Sequence, residues 1–517
     1  MGIDEDAPPP TVTTEVLRKL LAEGDPARVA SAIAAGADIH FVDEDGYDAL
    51  NCAVHNRDVF RDARLIDLLK LLIDNGVSLN GISSYQESGL RVLSRLGRFD
   101  GVELLLQAGA DAGHLEFTDL MRAVAFGRVQ DVARALEAGA DLEAVHWWER
   151  TAWLISLMTG DIAKAKLLLD HGARPDARGR CGATPLSYVI RCHRIPMLRW
   201  LLETGEDVEQ TNEFGAAPLA EAVEEDDLEA VDILLKAGAD VDHSSHIATA
   251  MYNASSREVV MRLLEAGADP AELTHEGRRM ILGYPPDPDP EQLTVSVEEF
   301  QEFREPTFGD LNPQRMNNPF WEGMIRCGIN AYAAEVRVVG ERNYEDGLGP
   351  IWCAQRFGQS ITFLPDGRIV QVGGEHEDHY DPDFCIYNDV FVHHPDGRID
   401  IYGYPAEDFP PTDFHTATLI GSFIYLIGGL DYYGERQPGT TRIYRLDTET
   451  FKMERLESRG DAPGWIYNHR AALRGDAEIV VSGGTVVAAD APQPAYIDNG
   501  ETFILDTRSM IWRRSDS

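Results

Sequence analysis

Apolar residues in the first half of the chain recur at helical spacing, in short bursts that each end at a glycine. Between His171 and Val208, Leu186, Val189 and Ile190 share one face of a short helix, and Ile195 to Leu202 carry a second that stops before Gly205. Thr184 and Pro185 open the first helix, since threonine can cap free N–H groups and proline costs nothing in a first turn. Gly205 is predicted to adopt the left-handed conformation that ends many helices. The same pattern places glycines at 36, 76, 109, 139, 172, 205, 238 and 267, with a constant step of 33 residues from Gly139 to Gly238. A helix pair this short cannot bury its own apolar face, so the pattern predicts a stack of pairs. The step of 40 between Gly36 and Gly76 predicts an insertion around Arg57 to Ala63.

After Gly283 the pattern breaks into a proline- and acid-rich run that reads as a linker. A helix is expected from Val297 to Phe303. The apolar run Asn317 to Ile325 is expected to dock on something folded, as a plug between the two halves. From about Trp352 the spacing changes to that of strands. Three β-branched runs each end in a glycine pair, at 373–374, 428–429 and 483–484, with steps of 55. Each unit has room for four strands; in the second these include His415 to Leu419, the glycine-pair strand, Arg442 to Asp447, and Phe451 to Leu456.

Two family resemblances follow from these residues. Asp45-Gly46 with Ala49-Leu50, Gly182 with Thr184-Pro185-Leu186, Gly215 with Pro218-Leu219, and the Gly-Ala-Asp turns at 36–38, 109–111, 139–141, 237–240 and 267–269 resemble the ankyrin repeat family. Ser187 and Ala220 stand where that family usually has a histidine, which implies looser hairpin bonding. The glycine pairs, the later strands ending in Asp-Thr, and Phe451 and Trp512 resemble the kelch repeat family. Together they imply a multidomain α plus all-β chain, an ankyrin-like α-solenoid followed by a kelch-like β-propeller or partial propeller with three recognisable blades. The expected divisions are a disordered tail at 1–13, a solenoid at 14–282, a linker and docking segment at 283–351, and a propeller domain at 352–517. Closed propellers typically have four or more blades. Three therefore imply a degenerate blade between about 326 and 352, completion by another chain, or an open partial ring.

Charge changes the picture of partners. The chain has 87 acidic and 46 basic residues, a formal net charge of −41. Nucleic acid is not expected as a partner, because phosphate binding needs a positive footprint. Such a charge serves solubility, or it steers in a basic protein partner. The six cysteines have no Cys-x-x-Cys pairing, which argues against a zinc site or disulfide framework and for a reducing compartment. The acidic, proline-rich start is unlike a secretory signal and no apolar run would span a bilayer, so a cytoplasmic protein without membrane contact is expected. Nothing in the chain sets an oligomeric state.

Candidate binding residues fall at the predicted hairpin tips. Trp147 and Trp148 occupy tip positions by register from Gly139, and paired exposed tryptophans mark either a binding hot spot or packing on neighbouring tips. Tyr47, Tyr85 and Phe214 belong to the same row. Acidic residues dominate from Glu203 to Asp242, reading as a solvated face or a docking strip. Glu375, His376, Glu377, Asp378, His379, Tyr380 and Asp381 form the densest titratable run. His376, Asp378, His379 and Asp381 are candidate zinc or calcium ligands, though without fixed ligand spacing. His415 and His469 recur at equivalent places, which predicts a structural role, because an active site is needed once. No nucleophile elbow, phosphate-cradling loop or paired acid/base signature stands out, so neither enzymatic activity nor a cofactor is expected. The function expected is a protein-interaction module or scaffold that binds through the ankyrin concave surface and the propeller face. A sharper form is an inhibitor or immunity-type protein that occupies a basic partner. The alternative is a metal-binding or enzymatic propeller centred on Glu375 to Asp381.

Overall fold

Paired short helices make the first of two units. The computed structural model describes residues 14–55, 61–243, 249–340, 350–376, 384–488 and 495–515, and the chain divides into Met1–Asn253 and Ala254–Ser517. The first unit holds α1 (Thr14–Glu23), α2 (Pro26–Ala34), α3 (Ala49–Val54), α4 (Arg64–Asp74), α5 (Gly89–Arg95), α6 (Phe99–Gln107), α7 (Asp119–Phe126) and α8 (Val129–Glu137). It continues with α9 (Ala152–Thr159), α10 (Ile162–Asp170), α11 (Pro185–Arg191), α12 (Ile195–Glu203), α13 (Pro218–Glu224) and α14 (Leu228–Lys236). First helices of successive pairs pack on one another, as α7, α9, α11 and α13 do. Second helices form a parallel row, α8 on α10 and α12 on α14. Helix α9 is buried from Ala152 to Met158, and such a helix survives only between neighbours on both sides.

Local chemistry explains where these helices begin and end. The Thr184 hydroxyl accepts from the Ser187 N–H at 3.1 Å, while the Ser187 hydroxyl accepts from the Thr184 N–H at 3.1 Å. Serine at this position therefore closes a reciprocal cap instead of loosening the turn. The eight turn glycines all have positive φ, between +77° and +101°. At Gly172 an added Cβ would meet nothing within 4 Å. Gly172→Ala should therefore cost only left-handed backbone strain, about 1–2 kcal/mol, read as a lower urea midpoint with unchanged slope.

The second unit opens with helices and continues as sheets. Its helices are α15 (Arg257–Glu265), α16 (His275–Ile281), α17 (Val297–Phe303), α18 (Pro319–Cys327) and α19 (Ala331–Val339), with strand β1 (Gln314–Arg315) between α17 and α18. Next come β2 (Ser360–Phe363), β3 (Ile369–Val372), β4 (Glu375–His376), β5 (Cys385–Ile386), β6 (Val390–His393) and β7 (Ile399–Gly403). The second group is β8 (Thr416–Ile420), β9 (Phe423–Ile427), β10 (Ile443–Asp447), β11 (Met453–Arg455), β12 (Arg459–Gly460) and β13 (Trp465–Tyr467). The last is β14 (Arg470–Arg474), β15 (Glu478–Ser482), β16 (Thr485–Ala488), β17 (Ala495–Asp498), β18 (Thr502–Asp506) and β19 (Ile511–Arg514). Three larger sheets have the orders β1-β7-β6-β3-β2, β11-β10-β9-β8 and β12-β19-β18-β15-β14, and each contains a four-stranded antiparallel meander. Two smaller sheets, β13-β16-β17 and β4-β5, extend from the glycine-pair turns.

Strand alternation sets the layers. Val370, Val372, Val390 and Val392 of the first sheet share a core with Ile424 and Leu426 of the second. On the second sheet's other face Tyr425 and Ile427 join Ile479, Val481, Phe503 and Leu505 of the third. Period-two side chains thus fill both faces of the middle sheet. The first sheet's remaining face, with Phe391, Ile399 and Ile401, is covered by Phe320, Trp321, Met324 and Ile325 of α18. The run Asn317 to Ile325 is therefore a layer of this unit's own core, which corrects the expectation of a plug between halves. Its apolar residues recur at helical spacing and face one sheet.

Repetition within the sheets explains the two recurrent histidines. Strands β2, β8 and β14 are successive neighbours. His415, just before β8, bonds through Nε2 to the Ser360 hydroxyl of β2 at 2.9 Å, and His469, just before β14, bonds to the Thr416 hydroxyl of β8 at 2.9 Å. The same bond is made twice, one sheet apart.

Candidate functional site

The tryptophans sit on a sharp hairpin. Between α8 and α9 the Glu149 N–H donates to the His146 carbonyl at 2.7 Å, with Glu149 at φ +57°. His146 packs edge-on against Phe117 at 4.9 Å, and burial, then the neighbouring Arg150, lowers its pKa to about 3. The turn is thereby fixed from beneath by a neutral ring. Trp147 and Trp148 follow, edge to face at 4.5 Å.

Arginines cover these rings. Arg91 lies 4.7 Å from the Trp147 ring centre, Arg95 5.3 Å and Arg150 5.9 Å from that of Trp148, and Arg180 5.3 Å and 5.5 Å from the two. The Trp148 indole N–H donates to the Arg91 carbonyl at 3.3 Å. Both tryptophans are half-buried instead of exposed at a tip, because guanidinium groups from adjacent repeats stack on them. Of the other aromatic candidates, Phe214 is 54% exposed and lines the same groove, of about 500 Å³, as Trp148. Tyr47 and Tyr85 lie together, ring centres 6.3 Å apart, and Tyr47 meets His55 edge-on at 4.9 Å. His55 lines the groove, so Tyr47 adjoins it through that ring, whereas Tyr85 is exposed.

The groove is electrically divided. At the tryptophan end, Glu87 bonds His55 and Arg95, each at 2.6 Å. Burial opposes its charge, yet these two partners hold its carboxyl below the usual range. Arg91 pairs with Glu116 at 2.9 Å. Arg150 is 2% exposed, and its Nη1 donates to the Ser94 carbonyl and the Met158 sulfur, each at 3.0 Å. Elsewhere on the lining are Glu224, Glu225, which pairs with Arg61, and Arg191, which pairs with Glu221 at 2.9 Å. Cys192 lines the floor, and burial raises its thiol to about 11, too high for a nucleophile at neutral pH.

These arginines were missed by sequence reasoning because charge was weighed as a total and along acidic runs, not by repeat register. Arg180 lies one 33-residue step after Trp147, and Phe214 two such steps after Trp148. Reading the register for charge as well as for aromatic residues would have found Arg180. Nothing local marks Arg150 as buried.

The acidic histidine run is only partly described. Glu375 and His376 form β4, and His376 Nδ1 bonds the buried Tyr387 hydroxyl at 2.6 Å. Asp378, His379 and Asp381 lie outside the described residues. Among the described residues no group of three His, Cys, Asp or Glu is placed to hold a metal ion, and no helix is long and apolar enough to cross a membrane.

No curated protein matches the chain. A family model described as ankyrin repeats (3 copies) matches residues 120–212. The helices and hairpins that carry Trp147, Trp148, Arg150, Arg180 and Arg191 are therefore ankyrin repeats, a general module of protein–protein interaction.

Proposed function

We propose that this chain is a non-enzymatic interaction module whose primary recognition surface is the groove at Trp147, Trp148 and Phe214. The observation that carries this reading is the tryptophan pair itself. It is covered by stacked guanidinium groups, and Trp148 lines a groove about 500 Å³ in volume. Large, rigid, partly desolvated aromatic residues beside arginine are what binding hot spots are made of. Tyr47 and Tyr85 extend the surface to the neighbouring hairpins. The solenoid is taken to run over 14–282, with the sheets of 352–517 forming a kelch-like partial propeller that offers a second face. The succession β2, β8, β14 and the repeated histidine bonds support that arrangement. The net charge of −41 favours a partner with a basic surface, and six free cysteines fit a cytoplasmic setting.

The test is capture of the partner by the full chain carrying Trp147→Ala and Trp148→Ala. Truncating a hot-spot pair should cost about 2 kcal/mol or more of binding. The melting temperature should change little, since both rings lie at the rim of the repeat core. Equal capture by the double variant and the parent chain would remove this reading.

A further inference from the structure

We propose that a small cavity in the second unit, where α16 meets the first sheet, binds a monatomic anion such as chloride, held by Arg278. The cavity has a volume of about 30 Å³, and its lining includes Arg278 and Arg279 of α16, Gly328, Arg356, Gln359 and Gln371. Room of that size takes one or two water-sized particles and excludes phosphate, sulfate and organic acids.

Two buried cations here have no counter-ion in contact. Arg278 is 8% exposed and Arg279 3%, and neither forms an ion pair among the described residues. Arg279 spends its guanidinium on the carbonyls of Pro285 at 2.9 Å, Ile325 at 3.4 Å and Arg326 at 3.2 Å. Arg278 donates from Nε to the Leu273 carbonyl at 3.3 Å and from Nη1 to the Gln359 carbonyl at 2.9 Å, which leaves the N–H groups of Nη2 without an acceptor among the described residues. Carboxylates act on these two only from a distance, Asp269 on Arg278 and Asp289 on Arg279, while Asp389 is spent on Arg356. Burial lowers the pKa of Arg278 to about 10, so it stays charged at neutral pH. A buried guanidinium is costly until its N–H groups and its charge are matched.

The lining favours an anion over a water molecule. Its acceptors are already engaged: the Gln359 carbonyl by Arg278, the Gln359 Oε1 by Gln371 at 2.8 Å, the Gln371 Oε1 by the His393 ring at 2.8 Å, and the Gly328 carbonyl by the His275 ring at 3.1 Å. A water molecule must place two protons of its own as well as accept. A halide only accepts, and it cancels charge that a water would leave standing. Seated there, it would join α16 to the chain entering β2 through Arg278 and Gln359, so that occupancy stabilises the second unit.

The experiment is urea unfolding of the full chain in chloride or bromide against gluconate at equal ionic strength. The midpoint of the second unit should rise with the logarithm of halide concentration once the site fills. In Arg278→Gln, which keeps a donor for the Gln359 carbonyl, that rise should be lost, leaving only the general salt effects common to both chains. Crystals of the parent chain soaked in bromide should show an anomalous scattering peak within hydrogen-bond distance of Arg278 Nη2. A midpoint that ignores halide in the parent, one that follows it equally in Arg278→Gln, or bromide crystals without a peak in the cavity would each overturn the proposal. Water alone in the cavity would give the first and last of these results. If Arg278→Gln does not fold, the parent's halide dependence and the bromide peak decide between the outcomes.

Discussion

Acidification will destabilise the second unit steeply, with its urea midpoint falling as the pH drops below the ordinary histidine value of 6.5. His393, His415 and His469 are buried, and burial lowers each to about 3; Arg326 and His394 add to this at His393, and Arg442 and His469 at His415. All three rings are spent as neutral hydrogen-bonding groups, His393 donating to the side-chain Oε1 of Gln371 at 2.8 Å and the others reaching across sheets. The unfolded chain takes up protons near pH 6.5 and the folded chain near 3. The stabilisation is therefore full above 6.5 and is lost as the pH falls towards 3. Each group contributes about 1.4 kcal/mol per pH unit, so three together approach about 4 kcal/mol per unit, a large share of the stability of a domain. Asp431 acts in the opposite sense. Burial raises its pKa from 3.8 to about 7 against the pull of Arg442, with Asp413 adding to the rise, so its contribution is full below 3.8, is lost as the pH climbs from there through 7, and offsets one of the three histidine slopes. Stability should peak between these limits. His469→Gln keeps a hydrogen-bonding side chain that does not titrate in this range and should lower the acid slope by about 1.4 kcal/mol per pH unit. An unchanged slope in that variant would refute the assignment.

Arg356→Ala should cost about 3–5 kcal/mol and leave the second unit unfolded or barely folded at neutral pH. Arg356 is fully buried and ion-paired to Asp389 through both oxygens. It donates to the carbonyls of Cys353 at 2.7 Å and Gly373 at 3.0 Å, and its guanidinium lies 3.4 Å from the centre of the Tyr387 ring. Asp389 in turn accepts the Trp352 indole N–H at 2.8 Å, and Trp352 stacks on Trp321 at 4.8 Å. Removing the arginine strands a carboxylate inside this core. The double change Arg356→Met with Asp389→Asn removes both charges and should recover much of the loss. Denaturant unfolding of the two variants separates the effects, and an Arg356→Ala chain as stable as the parent would show that the pair contributes nothing.

Much of the architecture was legible because it repeats. Helix pairs, the left-handed glycines, the Thr184 cap and the helix Val297–Phe303 depend on spacing and on backbone chemistry local to each turn. The glycine-pair strands and the structural part played by His415 and His469 were readable for the same reason, since a repeated residue must serve what the repeats share. The candidate site was legible only in its aromatic half. Trp147, Trp148 and Phe214 fall on the tip register, but three of the four cations that cover the rings lie more than 30 residues away. Arg91, Arg95 and Arg180 come from neighbouring repeats, and Arg150 is buried among Trp148, Ser94, Met158 and Tyr188 of α11.

What the sequence alone determined, then, is the series of local units and the period on which they stack, because helix caps, left-handed turns and strand alternation need only near neighbours in the chain. The tertiary structure decided what the units bury and leave unmatched. It assigned Phe320 and Trp321 to the first sheet's core and sealed Arg356 against Asp389. It also left Arg150 and Arg180 without carboxylate partners among the described residues of a chain that is strongly acidic overall. Burial and charge pairing are set by contacts between distant segments, and net composition averages over those contacts.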